Sequence, residues 1–361
     1  VQYALSKTDN TLKLPEKYNG LGYQNLISMV FDLMGFRDDW MREGKAKDTN
    51  TVIEPMHLVL VEEPEAHLHI QVQQVFIRQA YKVLTNHKFL KQNLNFTTQL
   101  VISTHSSHIA IETTFGNLRY FKRLPEGTEC AVATSKVINL SDVFGDSDQT
   151  NKFVTRYLQS THCDLFFADA AILVEGVAES MLLPHFIRSK FPELYQRYIT
   201  ILGVNGRHAH RLSPLIEKLC LPTLVITDLD PAEKEGYHKS VVLKRGEGQI
   251  SGNYAIAKWL MKEKDIDKLV DYSEDKKEFS FASPYRFSIR LAYQTPVKVD
   301  FEGEEKEAIP GTFEDCLIYT NYDLFKKIKV TDSGNLVEQT HDLLNSNDTF
   351  EMIHEKIYKM L

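Results

Sequence analysis

Three short apolar runs in this chain each end on acidic side chains, and no other feature constrains its fold as tightly. His57-Leu-Val-Leu-Val61 runs into Glu62 and Glu63, Ala170-Ala-Ile-Leu-Val174 into Glu175, and Thr223-Leu-Val-Ile-Thr227 into Asp228. Runs of this length, rich in Val, Ile and Leu, read as strands buried in a parallel sheet. Gln99-Leu-Val-Ile-Ser103 and Tyr198 to Gly203 read the same way. Helical segments are expected between them, over 65–84, just after Ser103, and over 176–190 and 208–219. Strand and helix alternate in two separate stretches, so the fold class is α/β with parallel sheets. In open α/β sheets ligands sit beyond the carboxyl ends of the strands, so these carboxylates stand where chemistry is expected.

The 361 residues, 43% hydrophobic and 25% charged, hold apolar material for two cores at roughly 100–200 residues per domain. The break is expected within 140–165, where Gly145, Asp146, Ser147 and Asp148 form a polar turn. That gives domains over 1–150 and 160–361. Ahead of the first strand, Gly20 and Gly22 make a turn into a helix over 19–34, with Leu26, Met29, Val30 and Leu33 at helical spacing. Residues 39–51 read as a surface loop and 117–139 as two shorter strands. Residues 271–310 read as charged and irregular with strands near 285–293, and helices near 312–328 and 348–361 close the chain.

A net charge of −7 gives no bulk argument for nucleic acid. An acidic protein can still bind DNA through local basic groups and through carboxylates that hold metal ions. The four cysteines, Cys130, Cys163, Cys220 and Cys316, form no CxxC pair. They argue against a zinc site or a disulfide framework and fit a reducing cytoplasm. No run is long enough to cross a bilayer and no signal peptide is visible, so no membrane partner is expected. The chain opens on Val1 rather than Met, and is expected to begin inside a longer protein.

In the first constellation, Glu62 and Glu63 follow a strand, and His105 follows the neighbouring one in Ser103-Thr-His105-Ser-Ser-His108. One carboxylate in such a place can hold the Mg²⁺ of a nucleotide, the next can polarise water, and a histidine can reach the terminal phosphate. A solvated acidic turn and a helix-entry cluster explain the same residues. In the second, Glu175 is followed by Gly176 and, one helical turn on, by Glu179; about fifty residues later come Asp228 and Asp230. Acidic groups converging on one sheet edge repel each other, and Mg²⁺ or Mn²⁺ relieves that with oxygen-only ligation.

The first constellation resembles the ABC-type ATPases of the structural-maintenance and RecF class. The resemblance makes Glu62 a Mg²⁺ ligand, Glu63 the hydrolytic base and His105 the switch histidine, with Gly22 in the signature loop. Glu62 stands where Asp is usual. No Gly-x-x-x-x-Gly-Lys-Ser/Thr loop occurs in the chain, so the phosphate loop is expected upstream of Val1. The second constellation resembles the Toprim domain of topoisomerases, primases and the overcoming-lysogenization-defect (OLD) nucleases, and Glu-Gly-x-x-Glu is nearest the OLD form. The resemblance makes Glu175, Asp228 and Asp230 catalytic metal ligands, with Glu179. Gly311-Thr-Phe-Glu314 is similar to the Arg-Thr-Phe-Glu segment of OLD nucleases, whose acid helps bind a second metal; an ordinary acidic first helical turn explains it equally. Ser251 and Asn253 match the polar loop these enzymes place near the site, and Lys356 and Lys359 are candidates for their lysine. His185, His208 and His210 lie near in sequence, though lone histidines are more often structural.

The order of motifs is that of the OLD family, which includes the Gabija-type nucleases of anti-phage defence. The chain is thus expected to be the C-terminal part of an ABC-type ATPase domain followed by a Toprim domain. Its function is expected to be a divalent-metal DNA endonuclease regulated by ATP. DNA, a homodimer or larger homo-oligomer, and a helicase-like or other defence protein are the expected partners. The alternative is an ATP-gated DNA clamp of the RecF/SMC type with a silent Toprim site. A topoisomerase would need a tyrosine nucleophile, and none of the 16 tyrosines stands in a diagnostic context.

Overall fold

The computed structural model describes residues 2–4, 13–43, 52–93, 95–124, 126, 131–141, 143, 163–204, 208–234, 241–282, 285–328 and 335–360. The polar turn expected at 145–148, Cys130 and most of the 39–51 loop lie outside these. The described residues form two compact units: one runs to Phe121 and takes in 139–141 and 163–167, and the remainder make the other. Among the described residues no helix is long and apolar enough to cross a membrane, and Cys163, Cys220 and Cys316 are not in disulfides.

In the first unit, helix α1 (Leu21–Trp40) precedes strand β1 (Met56–Glu62), helix α2 (Ile70–Thr85), strand β2 (Thr97–Ser103) and helix α3 (Ser107–Ile111). The two strands pair in parallel, from Met56 opposite Thr97 to Glu62 opposite Ser103. Leu33 of α1 and Phe76, Ala80 and Leu84 of α2 pack on Val59, with Val61 and Leu100 beside them. Only that face is covered among the described residues. Side chains alternate along a strand, so Leu58, Leu60 and Val101 reach the surface, where burial on both faces was expected. Helix α1 runs past the expected end at 34. Arg37, near its end, donates to the Val83 and Asn86 carbonyls at the end of α2. Helix α2 starts at Ile70 rather than near Glu65, because Glu63 and His67 adopt left-handed backbone, φ +41° and +63°, and break the turn before it.

The second unit is built on a five-stranded sheet. Strand β3 (Ala170–Val174) leads into helix α4 (Val177–Lys190); strand β4 (Ile199–Gly203) and helix α5 (Ser213–Leu219) precede strand β5 (Thr223–Ile226). Strands β6 (Glu278–Phe281) and β7 (Phe287–Ala292) complete it, in the order β6-β7-β5-β3-β4. Only the β6–β7 pair is antiparallel. The chain goes from β3 to β4 on one side and then to β5 on the other. The strand order therefore reverses between β3 and β5, which opens a crevice at their carboxyl ends.

The segment expected to be irregular holds a further hairpin, β8 (Val297–Phe301) and β9 (Glu304–Ala308). Its two-residue turn, Glu302 and Gly303, has positive φ at both positions, the backbone that suits the strand twist. Four helices follow: α6 (Phe313–Thr320), α7 (Tyr322–Lys327), α8 (Leu336–Leu344) and α9 (Phe350–Met360). Val299 and Ala308 of the hairpin, Ile318 and Tyr319 of α6, Leu344 of α8, and Phe350, Ile353 and Ile357 of α9 share one core. Thr312, the N-cap, and Asp315 form a capping box that starts α6, so Glu314, the second helical residue, is held in its first turn.

Candidate functional site

Strands β3, β5 and β7 lie side by side in the sheet, and each delivers a polar group to the same edge. Beyond β3 comes Glu175; beyond β5 come Thr227 and Asp228; beyond β7 comes Gln294. Glu175 Oε1 accepts from Thr227 Oγ1 and, at 2.6 Å, from Asn253 Nδ2. The same amide nitrogen lies 2.7 Å from Thr227 Oγ1 and 3.5 Å from Asp230 Oδ2. Asn253 is fully buried, and its own Oδ1 accepts the Ala255 N–H. The buried Ser251 hydroxyl accepts the Asn253 N–H. Both loop residues expected near the site are therefore there, one touching the carboxylates and one holding the loop.

Glu175, Glu179, Asp228, Asp230 and Glu314 interact electrostatically. Burial pushes the Glu175 carboxyl up, against the pull of Thr227 and Asn253, and Asp230 and Glu179 add to the rise. Burial, then Glu175, push Asp228 up to about 8, while the Gln294 amide opposes the shift. Glu179 is raised by burial and by Glu314, against backbone N–H groups at the start of α4. Gly176 makes room for it: a Cβ there would collide with the Glu179 carboxylate. Among the described residues no Lys or Arg pairs with Glu175, Glu179, Asp228 or Glu314. A partly buried, all-oxygen cluster of carboxylates is the donor set a hard divalent ion fits. Among the described residues, however, no three His, Cys, Asp or Glu side chains already stand as a ligand set; hydrogen bonds to Thr227, Asn253 and Gln294 hold the carboxylates instead.

Thr227 and Gln294 were not singled out from the sequence. The available signal was position: each is a polar residue at the carboxyl end of a strand of this sheet. The lysines considered near the end of the chain are engaged with neighbours, Lys356 with Asp348 and Lys359 with Glu355, both at 2.5 Å. His185 is exposed, burial lowers the His208 pKa, and the His210 ring packs edge-on to Tyr254.

In the first unit, Glu62 ends β1 opposite Ser103, and the Glu63 N–H donates to the Ser103 carbonyl. Glu63 Oε1 lies 3.4 Å from His105 Nε2, both exposed at the carboxyl edge. Glu65, also not singled out, clamps the second strand end: it accepts from Thr104 Oγ1 at 2.8 Å and from the His105 N–H at 2.6 Å. Gly22, in the first turn of α1, approaches the left-handed His67 so closely that a Cβ would lie 2.8 Å from its carbonyl oxygen. A non-glycine residue with positive φ, as at Glu63 and His67, is a conformation found disproportionately at functional turns.

Residues 3–110 match the AAA ATPase domain family, and residues 166–230 match the TOPRIM domain of overcoming lysogenization defect protein-like proteins. Endonuclease GajA of Bacillus cereus (strain HuB5-5) is 28% identical over 369 residues, which cover 98% of this chain and 48% of that protein. Endonuclease GajA of Bacillus cereus (strain VD045) is 23% identical over 314 residues, covering 83% of this chain and 49% of its own length. The chain thus spans about half the length of the curated relatives it matches.

Proposed function

We propose, for a chain that carries an AAA ATPase segment followed by an OLD-like TOPRIM domain in the manner of OLD-family nucleases, that the cluster at the β3–β5 crevice is the centre of a divalent-metal-dependent DNA endonuclease. The observation that carries this is the group of partly buried, mutually repelling carboxylates around Asp228, in which no Lys or Arg among the described residues pairs with Glu175, Glu179, Asp228 or Glu314. That both relatives are named endonucleases supports it.

Glu175, Asp228 and Asp230 would hold the catalytic ion, and Glu179 and Glu314, each in the first turn of a helix, would complete the set. When bound, Mg²⁺ or Mn²⁺ supplies a hydroxide at neutral pH and counter-charge for the leaving oxygen of a phosphodiester. The chain's own work is orientation: Thr227 and Asn253 fix Glu175, Gln294 fixes Asp228, and Ser251 holds the Asn253 loop. In the other unit, Glu62 would bind the Mg²⁺ of ATP, and Glu63, steadied beside His105, would activate water, with Gly22 packing the adjoining turn. The domains over 1–150 and 160–361 would then divide the labour between gating and cutting. In this reading the whole protein assembles as a homodimer or larger and serves anti-phage defence or DNA processing with a helicase-like or other partner.

The test is plasmid cleavage by the full-length protein with Mg²⁺, Mn²⁺ or EDTA, using Glu175→Ala and Asp228→Ala. Cutting that needs metal and is abolished in both variants is expected; equal cutting by either variant overturns the assignment. A DNA clamp with a silent Toprim site is the second reading. The observation favouring it is that, among the described residues, hydrogen bonds from Thr227, Asn253 and Gln294 hold the carboxylates; metal-dependent nicking separates the two.

A further inference from the structure

Asn253 and Tyr254 are consecutive but lie in opposite surroundings. Asn253 is fully buried against Glu175, while Tyr254, the next residue, is 43% exposed. Among the described residues the Tyr254 hydroxyl has no hydrogen-bond partner, so the ring is held neither by a core nor by its polar end. Two cationic or titratable groups flank it instead. The Lys258 ammonium lies 4.0 Å from the ring centroid, and the His210 ring stands 5.3 Å away at 79°. Lys258 forms no ion pair among the described residues. Tyr254 caps the π-helical turn Ala255–Leu260, a helix type frequent at functional sites. His210 lies in the turn Ala209–Leu212 that follows β4, and the chain joins Tyr254 directly to Asn253, which is bonded to Glu175.

Resting on the nuclease reading, we infer that Tyr254 is the stacking platform for a nucleobase beside the scissile phosphate, with Lys258 and His210 contacting the flanking backbone. An exposed aromatic ring next to basic side chains is how proteins seat single strands: the ring takes the face of a base, and the cations take phosphates. Lys258 covers the ring when no base is there, because a cation is attracted to that face. It has a stronger partner once a phosphate arrives. A base can reach such a ring only when it has left its own stack. The substrate is therefore DNA whose base at the cut is unpaired once bound, supplied either as a single strand or by local opening of a duplex.

The test uses the full-length protein and a labelled single-stranded oligonucleotide. Binding is read by anisotropy with Mg²⁺ in the Glu175→Gln background, and cutting in the otherwise native protein. Tyr254→Ala is expected to weaken binding by about 5- to 100-fold, while Tyr254→Phe, which keeps the ring, matches the parent. An abasic nucleotide at the cut should erase the difference between Ala and Tyr. Binding by Tyr254→Ala equal to the parent overturns the platform. So does Phe as damaging as Ala, which would assign the role to the hydroxyl, and so does an Ala defect that persists undiminished on the abasic strand. A parent protein that never cuts refutes the nuclease reading alone; the Ala-to-Phe ratio, read from binding, still decides the tyrosine.

Discussion

Gln294 and Asp228 leave adjacent parallel strands at the same edge of the sheet, and the Gln294 side-chain amide donates to Asp228 Oδ1. The Gln294 carbonyl meanwhile accepts the Leu229 N–H at 3.1 Å. One buried side chain thus fixes both the carboxylate and the backbone behind it. Groups that orient a metal ligand from behind typically govern affinity by about 10–100-fold. Gln294→Ala is expected to lower Mn²⁺ affinity by that much in calorimetric titration. An unchanged affinity would show that Asp228 needs no such support.

The pH dependence of the metal-free protein follows from Asp228. Its folded carboxyl titrates at about 8, whereas in an unfolded chain it returns to about 3.9. Between those values the folded state keeps a proton the unfolded state has lost, so stability falls as pH rises. Asp228→Asn removes that slope. In EDTA at pH 8 it should raise Tm, at roughly 2–4 °C per kcal/mol, and the gain should vanish near pH 4. Metal displaces the same proton, so Mn²⁺ affinity should climb across this window and level off above about 8. Identical melting of the two proteins at pH 8 would show that neither burial nor neighbouring carboxylates raise Asp228.

Gly176 has an ordinary extended backbone, φ −112°, so alanine can adopt it. The obstacle is the Glu179 carboxylate, the far end of a flexible side chain. Gly176→Ala should therefore cost no more than about 1 kcal/mol of stability while swinging Glu179 away and cutting nicking by at least roughly tenfold. Denaturant midpoint and plasmid nicking, measured together, check this. Loss of both in parallel would mean that the glycine serves folding alone.

Ile353 of α9 is completely buried in the core that also seats Ile318 and Tyr319 of α6, the helix that carries Glu314. Ile353→Ala is expected to destabilise the protein by about 2–5 kcal/mol, against about 0.5–1.5 for Ile353→Val. Urea unfolding provides the measurement. An Ala variant no worse than Val would mean the terminal helices are not packed as described.

Glu63 faces His105 across the carboxyl edge of β1 and β2. If it is the hydrolytic base, Glu63→Gln in the whole protein should slow phosphate release from ATP by about 10²–10⁴-fold with nucleotide binding retained. Turnover within twofold of the parent would transfer that role elsewhere.

The parallel α/β character and the strands that end on Glu62, Glu175 and Asp228 were legible from apolar runs and acidic stops, because those patterns are local. Other features were not. The hairpin strand Glu304–Ala308 is charged at every position but its last and carries no apolar alternation. Helix α8 hides its buried Thr340 and Leu344 among polar neighbours. The delayed start of α2 depends on two backbone angles that periodicity does not register.

What this sequence determined by itself was which short segments become strands and helices and which acids stand at their ends, since steric preference and alternation act over a few residues. Tertiary structure alone decided that β5 lies beside β3 rather than beside β4, and so which acids meet. It also brought Gln294, together with the Asn253 that the resemblance had named, from elements far away in the chain. Their roles arise from desolvation and hydrogen bonding between segments, and those energies exist only once the strands have taken their order in the sheet.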